Sequence, residues 1–117
     1  ALCSNYPGNL IYSGDDATGA DALLFGAAGV ISVISNDQPK LLHDLYANRT
    51  DHSAVLRWQD QYKHYLEFIG KLAPNPVVIK ALLANHGFMQ SHVRLPLLPL
   101  TDEQFALLVN ETQVNIS

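Results

Sequence analysis

Residues 10–36, with the sequence LIYSGDDATGADALLFGAAGVISVISN, constrain the fold more than any other stretch. The apolar run from Leu10 to Ser13 has strand composition and stops at Gly14. Residues 17–25 suit a short helix, with Asp15 or Asp16 as its N-cap and Gly26 just past its end. Ala20, Leu23, Leu24 and Ala27 give that helix an apolar stripe. Gly29 then leads into Val30-Ile31-Ser32-Val33-Ile34. This run is β-branched almost throughout, as expected of a parallel strand covered on both faces. The order strand, helix, strand is one βαβ unit. Such units place ligand chemistry at the carboxyl ends of their strands, and the first strand ends at Gly14-Asp15-Asp16.

From Asp37 onward the pattern becomes helical. Pro39 suits the first turn of a helix to about Ala47, with Leu41, Leu42, Leu45 and Tyr46 on its apolar face. A polar break follows at residues 48–52. Val55, Trp58, Tyr62, Tyr65, Ile69 and Leu72 then recur at steps of three and four, which predicts an amphipathic helix over 53–72. Pro74-Asn75-Pro76 ends it. Asn75 is the expected cap of the next helix, with Pro76 at its first position and Gly87 at its end. Leu95-Pro96-Leu97-Leu98-Pro99-Leu100 cannot be helical and reads as an extended apolar strap. Thr101-Asp102-Glu103-Gln104 is a capping box opening a last helix to about Val109 or Val114.

The totals narrow the function classes. At 117 residues the chain is one domain or part of one, and 48% apolar residues argue for an ordered core. A net charge of −4 with no basic block argues against nucleic acid and anionic membrane surfaces as partners. No apolar run approaches the ~20 residues of a membrane span. No charged segment followed by an apolar core opens the chain, so no signal peptide is expected. The single cysteine, Cys3, excludes an internal disulfide and suits a reducing compartment. A cytoplasmic location is therefore expected, and the Asn-x-Thr triplets at Asn48 and Asn110 read as chance.

Two parallel strands make a very small sheet. Strands buried on both faces, each with an unpaired edge, need covering. The sequence thus reads as a piece of a larger α/β fold, or as a chain whose copies associate to complete the sheet.

The motifs carry a family resemblance. Ile11-Tyr12-Ser13-Gly14-Asp15-Asp16-Ala17-Thr18 resembles the seventh strand and turn of the dihydrodipicolinate synthase / N-acetylneuraminate lyase family. Gly26-Ala27-Ala28-Gly29-Val30-Ile31-Ser32-Val33 is similar to its eighth strand, with Asn36 shortly after. Pro74-Asn75-Pro76, Lys80-Ala81-Leu82, Gly87, Arg94-Leu95-Pro96-Leu97 and Pro99-Leu100 resemble its helical C-terminal region. The Gly14-Asp15-Asp16 turn is closer to the synthase version of the motif than to the lyase versions.

The resemblance implies an α/β fold that is the C-terminal portion of a (β/α)8 TIM barrel plus appended C-terminal helices. Residues 1–48 would hold strand 7, helix 7, strand 8 and helix 8, and residues 49–117 the helical region. It implies a lyase of the lysine-biosynthetic diaminopimelate pathway that condenses pyruvate with aspartate semialdehyde, usually as a homo-oligomer. Pyruvate is held in that family as a Schiff base on a sixth-strand lysine. Lys40, Lys63, Lys71 and Lys80 all fall on predicted helices, so none suits that role and the chain alone is expected to be inactive. No catalytic residue, cofactor or metal is expected in it. The alternatives are a self-associating structural or interaction module, or a sugar-acid aldolase branch of the same family.

The resemblance assigns substrate-pocket positions to Gly14, Asp15, Asp16 and Ile31. Gly14 would permit close backbone approach of a ligand, and Ile31 would present main chain to the keto acid. From the residues alone, Asp15-Asp16 remains a helix cap, a substrate contact or a metal-ligand pair, and Ile31 is plain strand core. The five histidines lack metal-ligand spacing, and Ser13 and Ser32 lack a triad-like neighbourhood. Trp58, Tyr62, Tyr65 and Phe68 read as packing, or as an interface with a partner chain.

Overall fold

The computed structural model describes residues 2–116; Ala1 and Ser117, the outer limits of the two expected segments, lie outside the described residues. The elements are α1 (Leu2–Asn5), β1 (Tyr12–Ser13), α2 (Gly19–Leu24), β2 (Gly29–Val30), a 3-10 turn (Ile34–Asn36), α3 (Pro39–Ala47), α4 (His52–Leu72), α5 (Val77–Asn85) and α6 (Asp102–Ile116). They form two compact units, residues 1–61 and 62–117.

In the first unit β1 and β2 pair in parallel, with Tyr12 opposite Gly29 and Ser13 opposite Val30. The ladder continues on both sides of these pairs. Ala28 N donates to Ile11 O at 2.7 Å, and Ile31 N donates to Ser13 O at 2.7 Å. The connection through α2 completes the expected βαβ unit. Gly19, at the start of α2, lets the helix lie against β2: a Cβ there would stand 3.1 Å from both Val30 methyls. Gly26 ends the helix turn with φ of +98°, a conformation that disfavours any side chain.

Two expectations about the strands are corrected. The second strand does not run to Ile34. It ends at Val30, and the chain turns into the 3-10 segment because Ser32 and Ser35 bond each other. Ser35 N donates to Ser32 Oγ at 3.0 Å, and Ser35 Oγ donates to Ser32 O at 2.9 Å. Nor are the strands covered on both faces. Leu10 is 75% exposed, Tyr12 53% and Ile31 70%. α2 packs against Val30, but beside the strands an apolar groove of about 320 Å³ lies open, lined by Tyr12, Gly29, Ile31, Leu42, Leu45 and Tyr46.

α3 and the first part of α4 complete this unit. Leu41 and Leu45 are buried as the spacing predicts. Tyr46 is exposed instead, with the Arg49 guanidinium 3.9 Å above its ring. Asp51 Oδ1 accepts from Ala54 N at 3.2 Å and closes the first turn of α4. Val55 and Trp58 are buried, and Trp58 Nε1 donates to Leu41 O at 3.0 Å. Gln59 Nε2 donates to Asp21 Oδ1 on α2 at 2.6 Å.

In the second unit Tyr65, Leu66, Val77, Val78, Ile79, Ala81, Leu82 and Leu108 form the core. Tyr65 is fully buried, and its hydroxyl bonds the Thr112 hydroxyl at 2.9 Å. Pro76, not Asn75, occupies the cap of α5, because Val77 N donates back to Pro74 O at 2.9 Å and the helix starts one residue late. The capping box of α6 forms as predicted. Thr101 N donates to Gln104 Oε1 at 3.0 Å, and Gln104 N to Thr101 Oγ1 at 3.2 Å. α6 runs beyond Val114 to Ile116, which is half-buried. Residues 95–100 stay non-helical, with Leu95 and Leu98 exposed.

Candidate functional site

The parallel register brings the two strand ends together. Gly14 follows Ser13 directly and Ile31 follows Val30, so the two lie side by side one residue beyond the last paired positions. Both are at the carboxyl end of their strand, where this class of fold builds its sites. Ile31 is exposed at its side chain and held at its amide by Ser13 O. Gly14 is exposed too, and a Cβ added there would meet no atom within 4 Å. Its lack of a side chain therefore answers no crowding within these residues.

The acidic pair divides its work. Asp15 Oδ2 accepts from Thr18 N at 3.1 Å and from Thr18 Oγ1 at 2.7 Å. This Asx-type turn shapes the entry to α2, while the N-cap position itself belongs to Thr18. Asp16 does not cap α2 at all. Its Oδ1 accepts from Ser32 Oγ, and its Oδ2 accepts from Val33 N at 3.1 Å and Ile34 N at 2.9 Å. The carboxylate thus spans from the end of β1 to the 3-10 turn after β2. Capping by Asp15 or Asp16 is replaced by one local turn and one long-range clamp.

These partners also bear on the metal-ligand alternative. The two carboxylates bond different groups, Thr18 for one and Ser32 with the 3-10 turn for the other. Among the described residues no three His, Cys, Asp or Glu side chains gather into a metal-binding group. Ser32 is the participant that reading for nucleophiles passed over. The signal was present as Ser32-Val33-Ile34-Ser35, a serine at every third position that interrupts the β-branched run and favours side-chain-to-backbone bonding.

No lysine belongs to the strand ends. Lys40 lies on α3, Lys63 and Lys71 on α4, and Lys80 on α5, where its Nζ donates to His92 O at 2.9 Å. Among the described residues no helix is long and apolar enough to cross a membrane.

Comparison with known proteins identifies relatives of the chain. The model of the dihydrodipicolinate synthetase family matches residues 1–113. The 4-hydroxy-tetrahydrodipicolinate synthase of Xanthomonas axonopodis pv. citri is 42% identical over 95 residues, which is 79% of this chain and 30% of that protein. The crystal structure of the chloride-inhibited dihydrodipicolinate synthase from Acinetobacter baumannii complexed with pyruvate superposes with a TM-score of 0.87 at 29% identity. It matches 96% of this chain and 39% of that one. The dihydrodipicolinate synthase of Thermotoga maritima gives a TM-score of 0.85 at 27% identity, over 97% of this chain and 39% of that one. The chain spans about a third of the length of the curated relatives it matches.

Proposed function

The chain belongs to the dihydrodipicolinate synthetase family, and we propose that it supplies the closing seam of a (β/α)8 barrel that condenses pyruvate with aspartate semialdehyde. In this reading residues 1–48 provide the last two strands and their helices, and residues 49–117 the appended helical region. The observation that carries it is the adjacency of Gly14 and Ile31 at the carboxyl ends of two parallel strands.

Each wall has a defined part. Gly14 keeps the space beside β1 free of a side chain, so a keto acid can approach the backbone. Ile31 offers main chain that is held in place by its amide, which donates to Ser13 O. Asp15 and Asp16 hold the turn and the strand ends in shape. The amine nucleophile comes from polypeptide beyond these 117 residues, since Lys40, Lys63, Lys71 and Lys80 sit on helices. That amine condenses with the pyruvate ketone, releases water, and generates the carbon nucleophile that attacks the aldehyde.

The bare strand face fits the same role. Leu10, Tyr12 and Ile31 are exposed, and the open groove beside them is apolar. Large exposed apolar surface marks an interaction site. The occupant in this reading is further βα polypeptide of the barrel, pairing on the free edges of β1 and β2.

Mixing the chain with the part of the Acinetobacter baumannii enzyme that it does not match tests the proposal. Condensation activity should appear in the mixture and be missing from either part. A mixture that binds but never turns over would overturn it.

A further inference from the structure

We propose that Asp16 is a positioning residue that sets the main chain of Ile31 against that of Gly14. The latch stands on geometry; its consequence for a ligand rests on the keto-acid reading of the site. Asp16 lies two residues past Gly14, and the groups it grips begin one residue past Ile31. Ser32 Oγ donates to Oδ1, while Val33 N and Ile34 N donate to Oδ2 at 3.1 and 2.9 Å. On the other side of Ile31, its own amide donates to Ser13 O at 2.7 Å. Residues 31–34 are therefore pinned to residues 13–16 at four points.

The chemistry calls for a carboxylate. Ser32 Oγ already accepts from Ser35 N at 3.0 Å, so its proton is free to point at Asp16. All three groups facing Asp16 are donors, and a carboxylate is acceptor-only. Bonds to an ionised acceptor are also the stronger ones. An Asn could take the two amides on its oxygen, but its NH2 would then face the Ser32 hydroxyl. Asp15 is not among the latch partners; its Oδ2 accepts from Thr18 N and Thr18 Oγ1.

A keto acid held through main chain at Gly14 and Ile31 needs those two segments at fixed separation, because small displacements at a site are costly. Main-chain contacts act on bound substrate and transition state alike, so their loss falls on KM more than on kcat.

Hydrogen exchange by NMR on the full chain tests the latch. Asp16→Ala should speed exchange at Val33, Ile34 and Ile31 by about tenfold or more, with Leu45 and Val55 unchanged, and Asp16→Asn should lie between. Ser32→Ala, which keeps the two amide bonds, should give a smaller rise at the same three sites and serves if Asp16→Ala does not fold. An unchanged rate at Ile31 in these folded variants overturns the latch. In the reconstituted barrel, Asp16→Asn should raise KM for pyruvate about tenfold while kcat changes about twofold or less. Unchanged KM overturns the positioning role. A reconstituted barrel inactive with the unaltered chain overturns the keto-acid reading instead, and the exchange data then decide the latch by themselves.

Discussion

The indole Nε1 of Trp58 donates to the main-chain carbonyl of Leu41 at 3.0 Å, a buried hydrogen bond across 17 residues. It joins α4 to α3 through a polar contact inside an otherwise apolar core that includes Leu41, Leu45 and Val55. An aromatic side chain whose N–H finds a partner can be buried without the cost of an unmade bond.

Removing only that donor isolates its worth. Trp58→Phe should lower unfolding free energy by about 1–2 kcal/mol, from the lost bond and the smaller ring. Trp58→Ala should cost about 3–5 kcal/mol because it opens a cavity. Denaturant titration followed by circular dichroism measures both. A Phe variant as stable as the parent would show that the bond contributes nothing.

Two glycines should separate fold from function. Gly26 has φ of +98°, so Gly26→Ala should destabilise by about 1–2 kcal/mol through backbone strain. Gly14 has no atom within 4 Å of an added Cβ. Gly14→Ala should therefore change stability by about 0.5 kcal/mol or less, yet weaken pyruvate binding in the reconstituted barrel. Thermal unfolding and pyruvate titration distinguish the two outcomes, and a Gly14→Ala barrel with unaltered pyruvate affinity would remove Gly14 from the pocket.

The capping box makes a local prediction in the second unit. Thr101→Ala removes the side-chain acceptor for Gln104 N, which should cost about 1 kcal/mol. Amide exchange should rise at the start of α6 and not in α5. Equal protection in parent and variant would mean that helix packing alone holds that end.

Much of this was readable in the sequence, for identifiable reasons. Helical periodicity located α3, α4 and α5 to within a residue or two, because each helix buries residues of its apolar face, such as Leu41 and Leu45, Val55, Trp58 and Tyr65, and Val78 and Leu82. The Thr101–Gln104 box was legible because capping is local chemistry. The second strand was misjudged beyond Val30. Its β-branched composition satisfied strand propensity, but Asp16 and the Ser32–Ser35 bonds turn the chain away, and the first of these effects comes from 16–18 residues earlier. The burial expected for Leu10, Tyr12 and Ile31 failed for another reason. Their composition is that of covered strands, yet among the described residues all three side chains stay exposed. The proposed pocket-wall positions come only from the family resemblance, since nothing in an isoleucine declares that its main chain matters.

The central claim is that this chain furnishes pocket walls and not the nucleophile. Intact-mass measurement after incubation with pyruvate and sodium borohydride tests it most directly, with the chain alone and after mixing with the complementary part of the Acinetobacter baumannii enzyme. The account predicts no adduct on the 117-residue chain in either sample, and an adduct on the complementary polypeptide in the mixture. A reduced pyruvate adduct on Lys40, Lys63, Lys71 or Lys80 would contradict it.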